Sequence, residues 1–251
     1  KTHQVVNILN YEKLNDLKFK NLEKINCSVV IMAGGKGTRL KPYTEILPKP
    51  LLPIDGKPAI RHILEKFDYY SPSKFFITVN YKAAVLKSYF KETQGSFKTH
   101  IINEDKPLGT AGSLYYLKNK IKGNFFLTNC DTIINTNYSD ILNFHTKNKN
   151  DITIVVAKKT FTIPYGVSDY AGNNHNLTEK PKLKFKVNVG LYLLSKNILS
   201  LIKKKRHLDF NILLAKSLKM KKKVGYYEIR DKDWIDVGQM DQYKSFLNKK
   251  I

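Results

Sequence analysis

Gly34, Gly35 and Gly37 stand within four positions of one another, directly after the apolar run Val29-Val30-Ile31 and beside Lys36, Arg39 and Lys49. The run reads as a buried strand. Glycine permits positive φ and lets backbone pass close to a ligand. A turn of this kind aims several N–H groups at one point, which favours a phosphate. With three cations alongside, the predicted chemistry is the cradling of nucleotide phosphates. The spacing is neither the P-loop Gly-x-x-x-x-Gly-Lys-Ser/Thr nor the dinucleotide Gly-x-Gly-x-x-Gly. An ordinary strand-to-helix turn uses glycines in the same way, so the reading depends on what else reaches the same edge.

Two further groups follow apolar strands. Asp131 comes after Phe125-Phe126-Leu127 and Thr128-Asn129-Cys130. A carboxylate at a strand end is placed to hold a hard cation such as Mg²⁺, which takes one or two protein carboxylates with phosphate oxygens and water. Capping of the next turn is the plain alternative. Glu104-Asp105-Lys106-Pro107-Leu108-Gly109-Thr110-Ala111-Gly112 follows a strand and opens a helix. Its glycines permit close approach to a flat nucleobase edge, although a loop entering a helix has the same composition.

The elements that must position these groups alternate. Strand-like runs cover residues 29–32, 75–79, 99–102, 125–128 and 152–157, and helix-like stretches cover 59–67, 83–90 and 112–117. This alternation predicts a largely parallel α/β sheet with right-handed crossovers. Ligands of such sheets sit at the carboxyl ends of the strands. After residue 160 extended segments run to 194. Helices follow near 197–202 and 210–218, a strand at 224–229, then Trp234-Ile235-Asp236 and a last helix.

The longer string Gly34-Gly35-Lys36-Gly37-Thr38-Arg39-Leu40 with Pro48-Lys49-Pro50-Leu51 resembles the signature of the sugar-1-phosphate nucleotidyltransferases. The likeness continues through Pro107-Leu108-Gly109-Thr110, Cys130-Asp131, Tyr165-Gly166-Val167, Glu179-Lys180-Pro181, Asn188-Val189-Gly190 and Trp234-Ile235-Asp236-Val237-Gly238. It implies a Rossmann-like three-layer α/β/α fold with a mostly parallel mixed sheet and a glycosyltransferase-A-like nucleotidyltransferase core. It implies an enzyme that moves a nucleotidyl group from a nucleoside triphosphate to a sugar-1-phosphate, releasing pyrophosphate. Carried over residue by residue, it gives catalytic roles to Arg39, Lys49, Asp131, Lys180 and Asp236, and Mg²⁺ ligation to Asp131 and Asp236. Nucleotide contacts fall to Ala33, Gly34, Gly35, Lys36, Gly37, Thr38, Glu104, Pro107, Gly109 and Thr110. Sugar-phosphate contacts fall to Tyr165, Gly166, Glu179, Lys180, Asn188 and Gly190. The loop at residues 104–112 looks most like that of guanylyltransferases, and Glu104 would accept from a guanine edge. GTP with a hexose- or amino-hexose-1-phosphate is the favoured pair, for surface glycan precursors, with UTP, dTTP and CTP as alternatives. A nucleotide-sugar sensor without turnover is a second alternative. Residues 27–251 form the nucleotidyltransferase domain in this reading. Residues 1–26 form a lysine-rich leader whose short strand and charged helix resemble the close of an upstream CBS module.

Composition narrows the partners. Forty-two per cent apolar residues suffice for a core. No apolar run of ~18 residues predicts a membrane span, and residues 1–26 lack the apolar stretch of a signal peptide. Net charge is +23, which by itself points to a polyanion. Yet of 44 basic residues only Arg39, Arg61, Arg206 and Arg230 are arginines, and arginine is the usual residue for bidentate contacts to bases and phosphates. The lysine clusters read as solvated faces, so neither nucleic acid nor membrane is expected as a partner. A homo-oligomer is compatible with the sequence. Cys27 and Cys130 abut apolar strands, which predicts buried free thiols and a reducing cytoplasm.

Overall fold

The valine-, isoleucine- and phenylalanine-rich runs become the strands of one sheet because each is apolar on both faces and must be covered twice. A computed structural model describes residues 22–93, 97–168 and 177–248. In chain order the elements are β1 (Ser28–Met32), α1 (Tyr43–Ile46), β2 (Pro53–Ile54), β3 (Lys57–Pro58), α2 (Ala59–Asp68), β4 (Lys74–Val79) and α3 (Ala83–Glu92). Then come β5 (Thr99–Asn103), α4 (Gly109–Gly112), β6 (Phe125–Asn129), β7 (Thr132–Ile134), α5 (Tyr138–Lys147), β8 (Ile152–Thr162), β9 (Gly166–Ser168) and β10 (Leu177–Glu179). The described chain closes with β11 (Lys182–Leu194), α6 (Phe210–Lys219), β12 (Val224–Arg230), β13 (Trp234–Asp236) and α7 (Met240–Asn248).

Among the described residues the main sheet has seven strands in the order β12-β8-β11-β6-β1-β4-β5. β1 pairs in parallel with β4 and β6, β4 with β5, and β8 with β12. β11 runs antiparallel to both β6 and β8, which makes the sheet mixed. Alternate side chains serve two cores, as the pleat demands. Val29 and Ile31 join α2, α3 and α5 on one side. Val30, Phe125 and Leu127 join α6 and the 3₁₀ turns at Ser113–Leu117 and Lys196–Leu201 on the other.

Helix α2 shows how the layers are held. Ala59, Ile60, Ile63, Leu64 and Phe67 are its buried residues, which is the spacing of one helical face. Phe67 stacks on Tyr138 with ring centroids 4.0 Å apart. Truncating a buried phenylalanine of this kind costs about 3–5 kcal/mol.

Two local expectations change. The helix expected at 112–117 is a single α turn, Gly109–Gly112, followed by 3₁₀ geometry. Its backbone is drawn onto the segment around Leu208 instead of continuing as α-helix. Helix α5 lies where no helix was expected. Most of its residues are β-branched, aromatic or short and polar, which weakens propensity, but Asn137 Oδ1 accepts from Ser139 N at 3.0 Å and Ile141 and His145 bury one face. The proposed strand and helix of the leader fall within residues 1–21, outside the described residues. Ile25, by contrast, is buried and donates its N–H to Tyr70 O at 3.0 Å. Among the described residues no helix is long and apolar enough to cross a membrane.

Candidate active site

The glycine turn leaves β1 at the edge where β4, β5 and β6 also end. Gly37 has φ 65°, and a Cβ there would lie 2.9 Å from Thr44 Cγ2 and 3.1 Å from Lys49 Cβ. The missing side chain therefore lets the lysine stem run under the turn. Thr44 Oγ1 donates to Gly37 O at 3.0 Å and fixes the turn against α1. Lys49 itself begins a 3₁₀ turn between Pro48 and Pro50. Its ammonium is ion-paired with Asp131, and their side chains are only 13% and 8% exposed.

Asp236 reaches the same spot by a separate route. β13 pairs with β7 so that Asp236 faces Thr132, next in sequence to Asp131. Val237 N donates to Asp131 O at 2.9 Å, and Gly238 N donates to Asp236 Oδ1 at 2.8 Å. A Cβ on Gly238 would collide with Asp131 Oδ2 and lie 2.9 Å from Lys49 Nζ and 3.0 Å from Asp236 Oδ1. Two carboxylates and an ammonium thus surround one side-chain-free carbon. Among the described residues no group of three or more His, Cys, Asp or Glu side chains is placed to hold a metal. Two oxygen-donor carboxylates with open space beside them fit a hard divalent ion that completes its shell with ligand oxygens and water.

Two clefts meet here. One, of about 360 Å³, is lined by Gly34, Gly35, Gly37, Thr38, Arg39, Lys49, Glu104, Pro107, Leu108, Gly109, Thr110 and Asp131, together with Asn129, Cys130 and His207. The other, of about 130 Å³, is lined by Arg39, Asn129, Asp131, Thr132, Asn188, Gly190, Trp234 and Asp236. Arg39, Asn129 and Asp131 border both, and Arg39 makes no ion pair among the described residues. One cleft can therefore seat a phosphorylated ligand on glycine amides while a second ligand lies within reach of the same carboxylate and guanidinium.

Several expected residues have other surroundings. Ala33 is buried and donates its N–H to Thr78 O at 2.9 Å, and Lys36 is exposed and lines neither cleft. Glu104 is buried in the larger cleft, where Oε2 accepts from Leu108 N at 3.3 Å. A Cβ on Gly34 would come within 2.9 Å of Glu104 Oε1. Burial raises the Glu104 carboxyl above the usual carboxylate range. Gly109 and Gly112 leave room for the protein's own chain. A Cβ at Gly109 would stand 2.8 Å from Leu208 O and one at Gly112 2.7 Å from Arg206 O. Ala111 N and Gly112 N both donate to Leu208 O.

The residues expected at the sugar divide into two sets. Asn188 and Gly190 line the small cleft at an irregularity of β11. There Asn188 Oδ1 accepts from Gly190 N at 3.0 Å and Asn188 Nδ2 donates to Tyr192 OH at 2.8 Å. Tyr165, Gly166, Glu179 and Lys180 lie on the β9–β10 hairpin and line neither cleft. Tyr165 is 72% exposed, and Lys180 Nζ is 3.8 Å from Glu179 Oε1 in solvent.

Sequence reasoning missed Asn129, His207 and Trp234 as cleft residues. Gly190 was the available signal for Asn129, because its φ of 77° and missing side chain make room for Asn129 Nδ2, 2.5 Å from where a Cβ would sit. Burial pushes the Cys130 thiol up to about 12, so it lines the cleft as an inert group.

Residues 28–250 match the family described as Nucleotidyl transferase. The chain is 35% identical over 179 residues to the bifunctional protein GlmU of Methanococcus maripaludis, a match covering 69% of this chain and 41% of that one. It is 34% identical over 246 residues to the mannose-1-phosphate guanyltransferase of Pichia angusta, covering 88% of this chain and 65% of that one. The crystal structure of HddC from Yersinia pseudotuberculosis complexed with GMP-PN superposes with a TM-score of 0.68 at 25% identity, covering 90% of this chain and all of that one. The match thus spans less than two thirds of the length of either curated relative.

Proposed function

The chain belongs to the nucleotidyl transferase family, and from that premise we propose that it transfers GMP from GTP to a hexose- or amino-hexose-1-phosphate with release of pyrophosphate. The observation that carries this reading is the meeting of Asp131, Asp236 and Lys49 around Gly238, where the two clefts join. Guanine is favoured by the name of the Pichia relative and by the ligand of the Yersinia structure. UTP, dTTP and CTP are the competing donors.

The reaction needs little covalent help from the protein. An oxygen of the sugar phosphate attacks the α-phosphorus, a new P–O bond forms there, and the bond to the β-phosphate bridging oxygen breaks. Pyrophosphate departs with that electron pair. The nucleophile is already an anion, so no base has to take a proton. The task is to bring two polyanions together and to stabilise charge developing on the α- and β-phosphates. Amides of Gly34, Gly35 and Gly37 receive the triphosphate. Arg39 lies against the departing phosphates, and Lys49 bears on the α-phosphate. The family is generally dependent on a divalent metal. Asp131 and Asp236 would hold that ion, read here as Mg²⁺, which supplies charge neutralisation to the reacting phosphates. Glu104 holds the Leu108 loop beside the nucleobase. Lys180 and Tyr165, on their hairpin, would have to approach the small cleft to meet the sugar phosphate.

A matrix of five nucleoside triphosphates against a panel of sugar-1-phosphates, read by pyrophosphate release, tests the reading. GTP with a mannose- or glucosamine-type acceptor is expected to give the highest rate. A matrix without sugar-dependent pyrophosphate release would remove the enzymatic reading and leave the nucleotide-sugar sensor.

A further inference from the structure

The small cleft poses an electrostatic problem. Asp131 and Asp236 stand in its wall, and an incoming phosphate monoester carries up to two negative charges. Arg39 is the only cationic residue lining it among the described residues. Lys180, expected at the sugar phosphate, is 63% exposed on a hairpin beside Glu179.

One further cation lies against a wall of this cleft. In β8, Ala157 faces the core on the side where Trp234 and Val237 pack, and Lys159, two residues on, has the same facing. Its ammonium lies 5.3 Å from the centre of the Trp234 ring and 5.9 Å from that of Phe161. It makes no ion pair among the described residues. Its neighbours do, since Lys158 and Lys186 both pair with Glu228. Trp234 is a wall of the small cleft. Lys159 is thus half-buried and held by aromatic rings instead of a carboxylate, one of them a ring that walls the cleft holding the two acids. Aromatic faces hold a lysine weakly enough to release it to a stronger anion.

We propose that Lys159, held over the Trp234 wall of the small cleft and outside its lining, is the residue that binds the phosphate of the sugar-phosphate acceptor, with the Trp234 ring as the platform that holds its ammonium. This rests on the proposed transfer reaction for the identity of the acceptor, but not for the test of binding. In that state the ammonium leaves the ring face for the phosphate oxygens, and the wall tryptophan senses the change.

Trp234 is the sole tryptophan of the chain, so its fluorescence reports the event directly, without turnover. Wild-type protein, Lys159→Met, Lys159→Arg and Lys180→Met are titrated with mannose-1-phosphate, glucosamine-1-phosphate, inorganic phosphate and, as the uncharged control, mannose. Expected are saturable signals from the phosphates and none from mannose. Lys159→Met should weaken phosphate binding about tenfold or more, the scale of one charged hydrogen bond, while Lys159→Arg stays within about threefold of wild type. GTP binding should be the same in all four proteins. A methionine keeps the packing on Trp234, so a purely structural lysine would leave phosphate affinity unchanged, and that result overturns the proposal. Loss of binding in Lys180→Met with none in Lys159→Met overturns it too, as does a wild-type protein indifferent to every phosphate. Failure of the transfer reaction itself appears separately, as the absence of pyrophosphate release.

Discussion

Asp131 and Asp236 converge on one glycine, Gly238, because β13 and β7 pair with Asp236 opposite Thr132. The carboxylates come from distant stretches of chain, and neither is positioned by its own loop alone. If they act together on the reacting phosphates, each should be needed. Asp131→Asn and Asp236→Asn are each expected to lower kcat on the order of 10²- to 10⁴-fold, with KM for the nucleotide much less affected. Steady-state kinetics at saturating divalent metal check this. A near-normal kcat for either variant removes that residue from the chemistry.

Gly238 offers a subtler test of the same arrangement. Alanine there places a methyl against the Asp131 carboxylate and close to Lys49 Nζ and Asp236 Oδ1. The three charged groups must spread, yet no charge is removed. Displacement of positioned groups by about an ångström costs on the order of 10²-fold in rate. Gly238→Ala is therefore expected to fold, to bind GTP, and to lose that factor in kcat. Thermal unfolding and kinetics on one preparation decide it, and wild-type turnover would mean that the spacing of the two acids does not matter.

What could be read from the sequence, and what could not, follows from the range of the interactions. β1, its glycine turn and the strand before Asp131 are local patterns, and all three stand where they were expected. The meeting of Asp131 with Asp236 came only through a resemblance. Three-residue strands such as β7 and β13 carry no periodicity long enough to announce their pairing. Gly109 and Gly112 were legible as places needing room, but the chain that uses the room, at residues 206–209, is far away in sequence. Tyr165 and Lys180 matched by order along the chain, which says nothing about the distance of their hairpin from the clefts. Lys159 carried no signal in the sequence, where it is one of two lysines that follow the apolar run 152–157. Only the register of β8 turns it toward Trp234.

Glu104 combines a structural duty with a proposed role at the base. Burial raises its carboxyl, so the charged form is disfavoured in the folded protein, while Leu108 N–H and the Thr78 hydroxyl side with the charge. The sign is that of a raised carboxylate: stability is fullest below the ordinary glutamate range and declines as pH climbs through the shifted value. Glu104→Gln keeps an acceptor for Leu108 N and removes the buried charge. It should stabilise the protein at pH 7.5 by about 1 kcal/mol, and weaken GTP more than UTP if the carboxylate accepts from a guanine edge. Urea unfolding and nucleotide titration check the two halves. Equal effects on all nucleotides would take Glu104 out of base selection.

His145 supplies a pH dependence remote from the clefts. Its Nδ1 lies 2.8 Å from Thr153 Oγ1 and its Nε2 3.1 Å from Ser195 Oγ, so the ring ties α5 to β8 and to the end of β11. Ser195 Oγ also donates to Asn150 O at 3.1 Å. Burial pushes the imidazole down to about 4, with Asp151 opposing weakly. The folded protein therefore refuses a proton that the unfolded chain accepts near pH 6.5. Above that pH both states hold a neutral ring and the network contributes in full. As pH falls from about 6.5 toward 4, proton uptake by the unfolded chain lowers stability, by on the order of 2–3 kcal/mol in all. Urea unfolding of wild type and His145→Gln at pH 7.5, 5.5 and 4.5 isolates the effect. The variant is expected to start lower at pH 7.5 and to lose less on acidification. Two stability curves that stay parallel across this range would show that His145 is not the group responsible.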